Sequence, residues 1–173
     1  MSKLRFSVLI GIIFLAALSR LIPHPFNFTP ITAIALFGGA HFANKKQAYL
    51  VTFGAMIVSD IFIGGYHSLL PLIYLYFGLA VLVGAWLRNH KNPLMIAGAT
   101  LTSSIVFFIV TNFAVWVRGS LYEHTFNGLM QCYAVAVPFF QNTVLGDAIY
   151  TAVLFGSFAF VEKRFPSLAP QNS

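Results

Sequence analysis

Residues 69–87 have the sequence LLPLIYLYFGLAVLVGAWL, an apolar run without a charged side chain. Arg88 follows it at once, and Lys91 comes three residues later. A straight transmembrane helix needs about 20 apolar residues to cross a hydrocarbon core of about 30 Å, so this run is long enough to span a bilayer. Similar apolar runs, separated by a few polar residues, make up most of the chain. This pattern predicts an all-α membrane protein.

The overall composition supports the same class. Of the 173 residues, 58% are hydrophobic and only 8% are charged, and the mean hydropathy is +0.82. A soluble domain usually carries about 25% charged residues because its surface faces water, so most of this surface is expected to face lipid. The net charge of +6 comes from basic residues that stand in pairs between apolar runs, which is typical of membrane loops and gives no patch for nucleic acid.

Six apolar segments can be distinguished, and the second is too short for a straight span. We predict them at residues 6–22, 31–43, 47–64, 69–87, 94–117 and 141–161. The second segment is either a half-span held between its neighbours or a helix that extends into the loop at 27–30. The prediction is one integral-membrane domain, residues 1–173, folded as a six-span helical bundle. It has a short second span and a long outer loop before the last span, in which residues 118–140 could form an amphipathic helix over the bundle.

The basic residues predict the orientation of this bundle. With a cytoplasmic N-terminus, the outer loops hold only two basic residues, Arg20 and Arg118. The inner loops then hold the other eight: Lys3, Arg5, Lys45, Lys46, Arg88, Lys91, Lys163 and Arg164. Because cytoplasmic loops are enriched in Lys and Arg, we expect a multi-pass protein of the bacterial inner membrane with both termini in the cytoplasm.

Polar residues inside the apolar segments fall mainly in the predicted outer half, among them Asp60 and Asp147. An ionisable side chain within a span normally faces a partner, the bundle interior or a wet cavity. One interpretation is a buried network in which Arg20 or Arg118 pairs with either carboxylate and holds helices together. The other is a polar pocket that opens to the outside, with aromatic side chains of the outer loops stacked on a flat ligand.

Other chemistry has weak support in the sequence. No pair of the five histidines has the spacing of metal ligands, so we expect neither a metal nor a cofactor. Cys132 and His124 lack an orienting group for nucleophilic catalysis, and no phosphate-binding loop is present. Small residues at Ala35, Gly39 and Ala43 form a pattern that favours close helix packing, within the chain or between chains.

Several motifs resemble an uncharacterised bacterial family of small membrane proteins, which is regarded as similar to the S components of energy-coupling-factor transporters. They are RLIPHPFNFTPITAIALFGG at residues 20–39, Ser59-Asp60, Thr111-Asn112-Phe113 with Trp116, Leu121-Tyr122, Gly128-Leu129, Cys132-Tyr133, Pro138-Phe139-Phe140 and Gly146-Asp147. S components capture vitamins or transition-metal ions from outside and topple in the bilayer when docked to a membrane coupling subunit with two ATPases. Many carry an Ala-x-x-x-Ala pattern on the first span for docking, and residues 11–20 of this chain do not.

This resemblance implies a solute pocket near the outer face. Its candidate residues are Asn27, Asp60, Tyr66, Asn112, Trp116, Tyr122 and Asp147, with Arg20 and Arg118 as candidates for an ion pair. The expected function is non-enzymatic capture of a small organic solute of the vitamin or precursor class. The expected partners are the bilayer, that solute and a coupling subunit with ATPases.

Three alternatives follow from the same residues. The first is an autonomous carrier, proton-coupled through Asp60 or Asp147. The second is a membrane-embedded enzyme that uses the two carboxyl groups as acid and base. The third is a structural subunit, in which the carboxyl groups serve assembly alone.

Overall fold

The computed structural model describes residues 1–64 and 68–168, and these ranges are helical, without a β-strand. The helices are α1 (Lys3–Leu18), α2 (Ile31–His41), α3 (Lys45–Ile63), α4 (Leu70–Leu87), α5 (Pro93–Arg118) and α6 (Phe126–Arg164). Single 3-10 turns follow α1 at Ser19–Leu21 and α6 at Pro166–Leu168.

Local sequence explains where several helices begin and end. The side chains of Asn44, Asn92 and Thr125 accept hydrogen bonds from the first turns of α3, α5 and α6, which satisfies amide groups that have no partner within the helix. Gly64 ends α3 with a φ of 68°, a left-handed conformation that costs glycine little. The expected all-helical architecture is therefore confirmed.

In the described part of the chain, five helices are long and apolar enough to cross a membrane: α1 with its 3-10 turn, α3, α4, α5 and α6. The helix α2 has 11 residues and is therefore only about 16 Å long. Its residues from Thr32 to His41 are all buried, because the other helices surround it. The second segment is therefore a short helix held between its neighbours, and the predicted six spans are not confirmed.

Contacts at the helix ends define two ends of the bundle. At the first, Arg5 near the start of α1 pairs with Glu162 near the end of α6. At the second, Arg20 just after α1 pairs with Asp60 near the end of α3. We call these the basic end and the Arg20 end. Since α1 and α3 both finish at the Arg20 end, α2 with its flanking segments returns the chain between them. The start of α1 and the end of α6 both lie at the basic end.

Glycine allows α2 and α4 to approach each other backbone to backbone. A Cβ atom on Gly39 would collide with the backbone of α4 at Val81, Gly84 and Ala85. A Cβ atom on Gly84 would collide with the backbone of Leu36 in return. Gly39 of the small-residue pattern thus serves packing between two helices of the same chain. The sequence alone also allowed packing between chains.

The last helix differs from the sequence prediction. Only residues 119–125 separate α5 from α6, so the long outer loop before the last span is not confirmed. Most of residues 118–140 instead belong to α6, which runs for 39 residues with Pro138 in its interior. At 1.5 Å per residue this helix is about 58 Å long, much more than one hydrocarbon core requires.

Candidate functional site

The first polar cluster lies at the Arg20 end and contains one of the two membrane-embedded aspartates. One terminal nitrogen of Arg20 (Nη1) lies 2.7 Å from Oδ1 of Asp60 and 2.5 Å from Oγ of Ser59. The hydroxyl group of Tyr74 donates to the other carboxylate oxygen of Asp60 at 2.7 Å. The Arg20 and Asp60 side chains are only 10% and 13% exposed, so the pair is largely withdrawn from solvent. Both carboxylate oxygens of Asp60 therefore have strong partners within the protein.

The second cluster surrounds Asp147, in the second half of α6. Asp147 is 2% exposed, and Oγ of Ser104 on α5 donates to its Oδ2 at 2.6 Å. The hydroxyl group of Thr32, near the start of α2, lies beside this carboxyl group. The Thr32 oxygen lies 3.1 Å from the hydroxyl group of Tyr76. Hydroxyl groups from two other helices thus converge on Asp147.

Asp147 differs from Asp60 in having no basic partner. Over residues 1–64 and 68–168 the ion pairs are Arg5–Glu162 and Arg20–Asp60, and neither includes Asp147. A carboxyl group buried within a membrane span without a cation is costly and is therefore a functional candidate. The structure does not bring the two aspartates into one cluster, since their hydrogen-bond partners are different residues.

A small polar cavity of about 60 Å³ lies between α5, α6 and the segment before α2. It brings together two of the predicted binding residues, Asn27 and Asn112, with Thr111 and Thr143. The Asn112 amide donates to the Phe108 carbonyl at 2.8 Å. Asn27 holds its position with a left-handed φ of 64°, which asparagine tolerates better than most residues. The volume is enough for about two water molecules.

The cavity lies one helical turn from Asp147, on the side toward the Arg20 end. Thr143 lines the cavity, and Asp147 and Thr151 follow it at intervals of four residues, so the three share one face of α6. On α5, Thr111 lines the cavity, while Ser104 and Thr100 follow toward the basic end. The hydroxyl groups of Thr100 and Thr151 lie 3.4 Å apart. A column of polar side chains therefore descends from the cavity through Asp147 along the contact between α5 and α6.

The segment at residues 22–30 covers this region. The Asn142 amide of α6 donates to the Phe26 carbonyl at 3.1 Å, and the Phe26 ring packs edge-on against Phe139. Farther along, the backbone at Phe28 passes directly over Gly146, beside Asp147, so closely that a Cβ atom on Gly146 would lie 3.1 Å from the Phe28 Cα. The Phe26 side chain is nevertheless 80% exposed. The Phe28 ring also packs against Tyr150 of α6, so the segment is held by one side-chain hydrogen bond and by packing.

The remaining predicted residues lie apart from the cavity. The indole nitrogen of Trp116 donates to the Glu123 carbonyl at 2.9 Å, which holds the connection between α5 and α6 against α5. Tyr122 lies in this connection and is half-buried. Arg118 donates to the Ser68 carbonyl at 3.0 Å, so within the described ranges it joins helix ends and pairs with neither aspartate. Tyr66 lies outside the described residues.

Sequence reasoning missed Thr32, Ser104 and Thr143, which surround Asp147 or the cavity above it. A signal for Ser104 was present, because Thr100, Ser104 and Thr111 repeat at helical spacing on one face of an otherwise apolar span. Thr32 carried no such signal, since it begins a short and uniformly apolar helix. Within the described ranges, no group of three or more His, Cys, Asp or Glu side chains is placed to hold a metal ion.

Of the comparisons with known proteins, only the comparison with family models found a match. No curated protein and no solved structure matches it. A family model matches residues 1–168, nearly the whole chain. The chain therefore belongs to a family of unknown function, DUF6580.

Proposed function

We propose that the protein is the substrate-binding membrane subunit of an importer, similar to an S component, and that it captures a small organic solute from the periplasmic side. The single observation that carries this proposal is Asp147, a buried carboxyl group with hydroxyl partners and no basic partner among the described residues, one helical turn below a polar cavity. A solute that brings a cation or a strong hydrogen-bond donor would complete this site.

The chemistry of the lining indicates the class of solute. Asp147 offers an acceptor, Asn27 and Asn112 offer amide groups, and Phe107, Phe108 and Phe139 offer aromatic surface. An amine- or amide-bearing ring compound fits these groups, and vitamins or their precursors include such molecules. Asp60 has a different role in this proposal, because Arg20 and Tyr74 already occupy its carboxylate oxygens.

Entry of an organic solute requires the segment at 22–30 to move. The cavity of about 60 Å³ is far below the roughly 300–1,000 Å³ of typical small-molecule sites. The segment is held on α6 by the hydrogen bond from Asn142, by the ring contacts of Phe26 and Phe28, and by the packing of its backbone on Gly146. We propose that its displacement widens the cavity down to Asp147, and that a coupling subunit with ATPases on the cytoplasmic side drives release.

The test is a thermal-unfolding screen of the purified protein against a panel of small amines, amides and vitamins. We expect at least one compound to raise the unfolding temperature of the unaltered protein and of Asp60→Asn, but not of Asp147→Asn. Asp60→Asn is the matched control, because it makes the same chemical change at the ion-paired aspartate. A compound that stabilises Asp147→Asn as much as the unaltered protein would contradict the proposed role of Asp147.

A second candidate is an autonomous, proton-coupled carrier. The polar column from Thr143 through Asp147 to Thr151 favours it, because such chains of polar groups suit ion or proton relays across membranes. This candidate predicts solute uptake by proteoliposomes that contain the protein alone, abolished when a protonophore removes the proton gradient. The importer subunit predicts binding but no accumulation under the same conditions.

A further inference from the structure

A second, larger groove separates α5 from α6 on the outside of the bundle. Its volume is about 620 Å³, ten times that of the polar cavity, and it runs from the level of Ser104 toward the basic end. It opens sideways, because Leu101, 49% exposed, and Ala148, Ala152 and Gly156 of its lining reach the surface of the bundle. In a membrane, this surface faces acyl chains.

The groove exists because small residues on α6 line it. Ala148, Ala152 and Gly156 recur every four residues and leave space where larger side chains would close the gap. A Cβ atom added to Gly156 would meet nothing within 4 Å. The lining is apolar except for the hydroxyl groups of Thr100, Ser104 and Thr151 and for Lys91 at the basic end. The shape and polarity therefore suit one extended hydrocarbon chain with a polar group beside Lys91.

The charge around Lys91 favours an anion. Lys91 is exposed in the connection between α4 and α5, just before α5 begins with its positive helix end at Pro93. Desolvation lowers the pKa of the Lys91 ammonium group, Arg5 and Arg88 lower it further, and Glu162 opposes them. Glu162 is already paired with Arg5. Arg88 donates to the backbone carbonyls of Ala43 and Gly39, so Lys91 has no carboxylate paired with it among the described residues.

We propose that this groove binds an anionic phospholipid, with one acyl chain between α5 and α6 and the phosphate group at Lys91. In the leaflet at the basic end, the acyl chains of a lipid lie deeper in the membrane than its phosphate group. The groove and Lys91 follow one another in the same order. Basic side chains between membrane helices are known to attract anionic head groups, at about 1 kcal/mol for each Lys or Arg. The groove shares Ser104 with the surroundings of Asp147, but Lys91 and Gly156 do not contact the polar cavity. Failure of lipid binding in variants at these two positions would therefore leave the solute proposal standing.

Native mass spectrometry of the purified protein in mixed micelles tests this proposal. The micelles contain equal amounts of phosphatidylglycerol and phosphatidylcholine with identical acyl chains. We expect a retained phosphatidylglycerol adduct, reduced about fivefold by Lys91→Gln and unchanged by Lys46→Gln. Lys46 is the matched control, because it is a lysine at the basic end that does not line the groove.

A second pair of variants tests the acyl-chain part of the site. Gly156→Leu fills the groove, whereas Gly98→Leu fills a different groove of about 390 Å³ between α4 and α5. Neither glycine has an atom within 4 Å of an added Cβ. We expect Gly156→Leu, but not Gly98→Leu, to remove the adduct. Equal retention of the two lipids, or an adduct that survives both Lys91→Gln and Gly156→Leu, would overturn the proposal.

Discussion

The two membrane-embedded aspartates have opposite surroundings. Asp60 accepts from Arg20 on one oxygen and from Tyr74 on the other, both at 2.7 Å. Asp147 has the hydroxyl groups of Ser104 and Thr32 and, over the described ranges, no cation. A paired charge can hold helices together, whereas an incomplete set of partners leaves a site for a ligand. We therefore propose a structural role for Asp60 and a ligand-binding role for Asp147.

The structural role of Asp60 makes a stability prediction. Asp60→Asn leaves the Arg20 guanidinium group largely buried without its counter-charge, so we expect a loss of about 3 kcal/mol in the free energy of unfolding. The double variant Arg20→Met with Asp60→Leu should lose less than Asp60→Asn alone, because no unpaired charge remains. Unfolding by denaturant in detergent micelles measures the free energy of unfolding of the single and the double variant. Equal losses in the single and double variants would argue against the ion pair as the cause.

The sequence predicted which charged residues lie near the spans better than it predicted which of them pair. Both arginines were candidates for an ion pair with either aspartate, because their predicted depths were similar. The choice of Arg20 for Asp60 depends on the ends of α1 and α3 lying side by side, which α2 brings about by returning the chain between them. No local pattern carries that information.

Among the elements, α2 is the one around which the bundle is built. It is too short to cross a membrane alone, yet its residues from Thr32 to His41 are all buried. Its closest neighbour is α4, and the approach depends on Gly39 and Gly84. Thr32 at its first turn also contributes to the surroundings of Asp147. The packing of α2 thus positions part of the candidate site.

A methyl group at this contact should be poorly tolerated. In Gly39→Ala the new Cβ would collide with the backbone of α4, which cannot move aside as a side chain can, so we expect a loss of about 1–3 kcal/mol or more. Gly54→Ala is the matched control, since a Cβ there meets nothing within 4 Å and alanine favours a helix. Thermal unfolding of both variants makes the comparison. A Gly39→Ala protein as stable as Gly54→Ala would mean that α2 and α4 are farther apart.

The boundaries of α6 were less predictable than its existence. From the apolar pattern, the last span was predicted at residues 141–161, with residues 118–140 in an outer loop that contains Pro138. The helix instead includes Pro138, and its first half packs on α5, where the Tyr133 hydroxyl donates to the Ile109 carbonyl at 2.7 Å. Contacts with α5 thus support the first half of a helix that continues through Pro138.

The whole molecule is a bundle with two chemically different ends. The start of α1 and the end of α6 lie at the basic end, where Arg5 binds Glu162 and the Leu168 carbonyl, while the polar cavity lies toward the Arg20 end. The proposed function requires the basic end to face the cytoplasm and the cavity to face the periplasm. The excess of basic residues in the loops of the basic end favours this orientation.

Cysteine labelling of intact cells tests the orientation. In a Cys132→Ala background, we expect a membrane-impermeant maleimide to label Ser120→Cys in intact cells and Ser167→Cys only after permeabilisation. Both positions are exposed, at opposite ends of the bundle, so each serves as the control for the other. The reverse pattern would place the cavity on the cytoplasmic side and contradict capture from the periplasm.

The central claim, that Asp147 anchors a solute, is tested most directly by native mass spectrometry of the gently purified protein. We predict a discrete small-molecule adduct in the unaltered protein and in Asp60→Asn, at the same mass, and its loss in folded Asp147→Asn. That mass would also identify the solute. A folded, unaltered protein that stays empty after growth with vitamin mixtures, or an adduct that persists in Asp147→Asn, would contradict the claim.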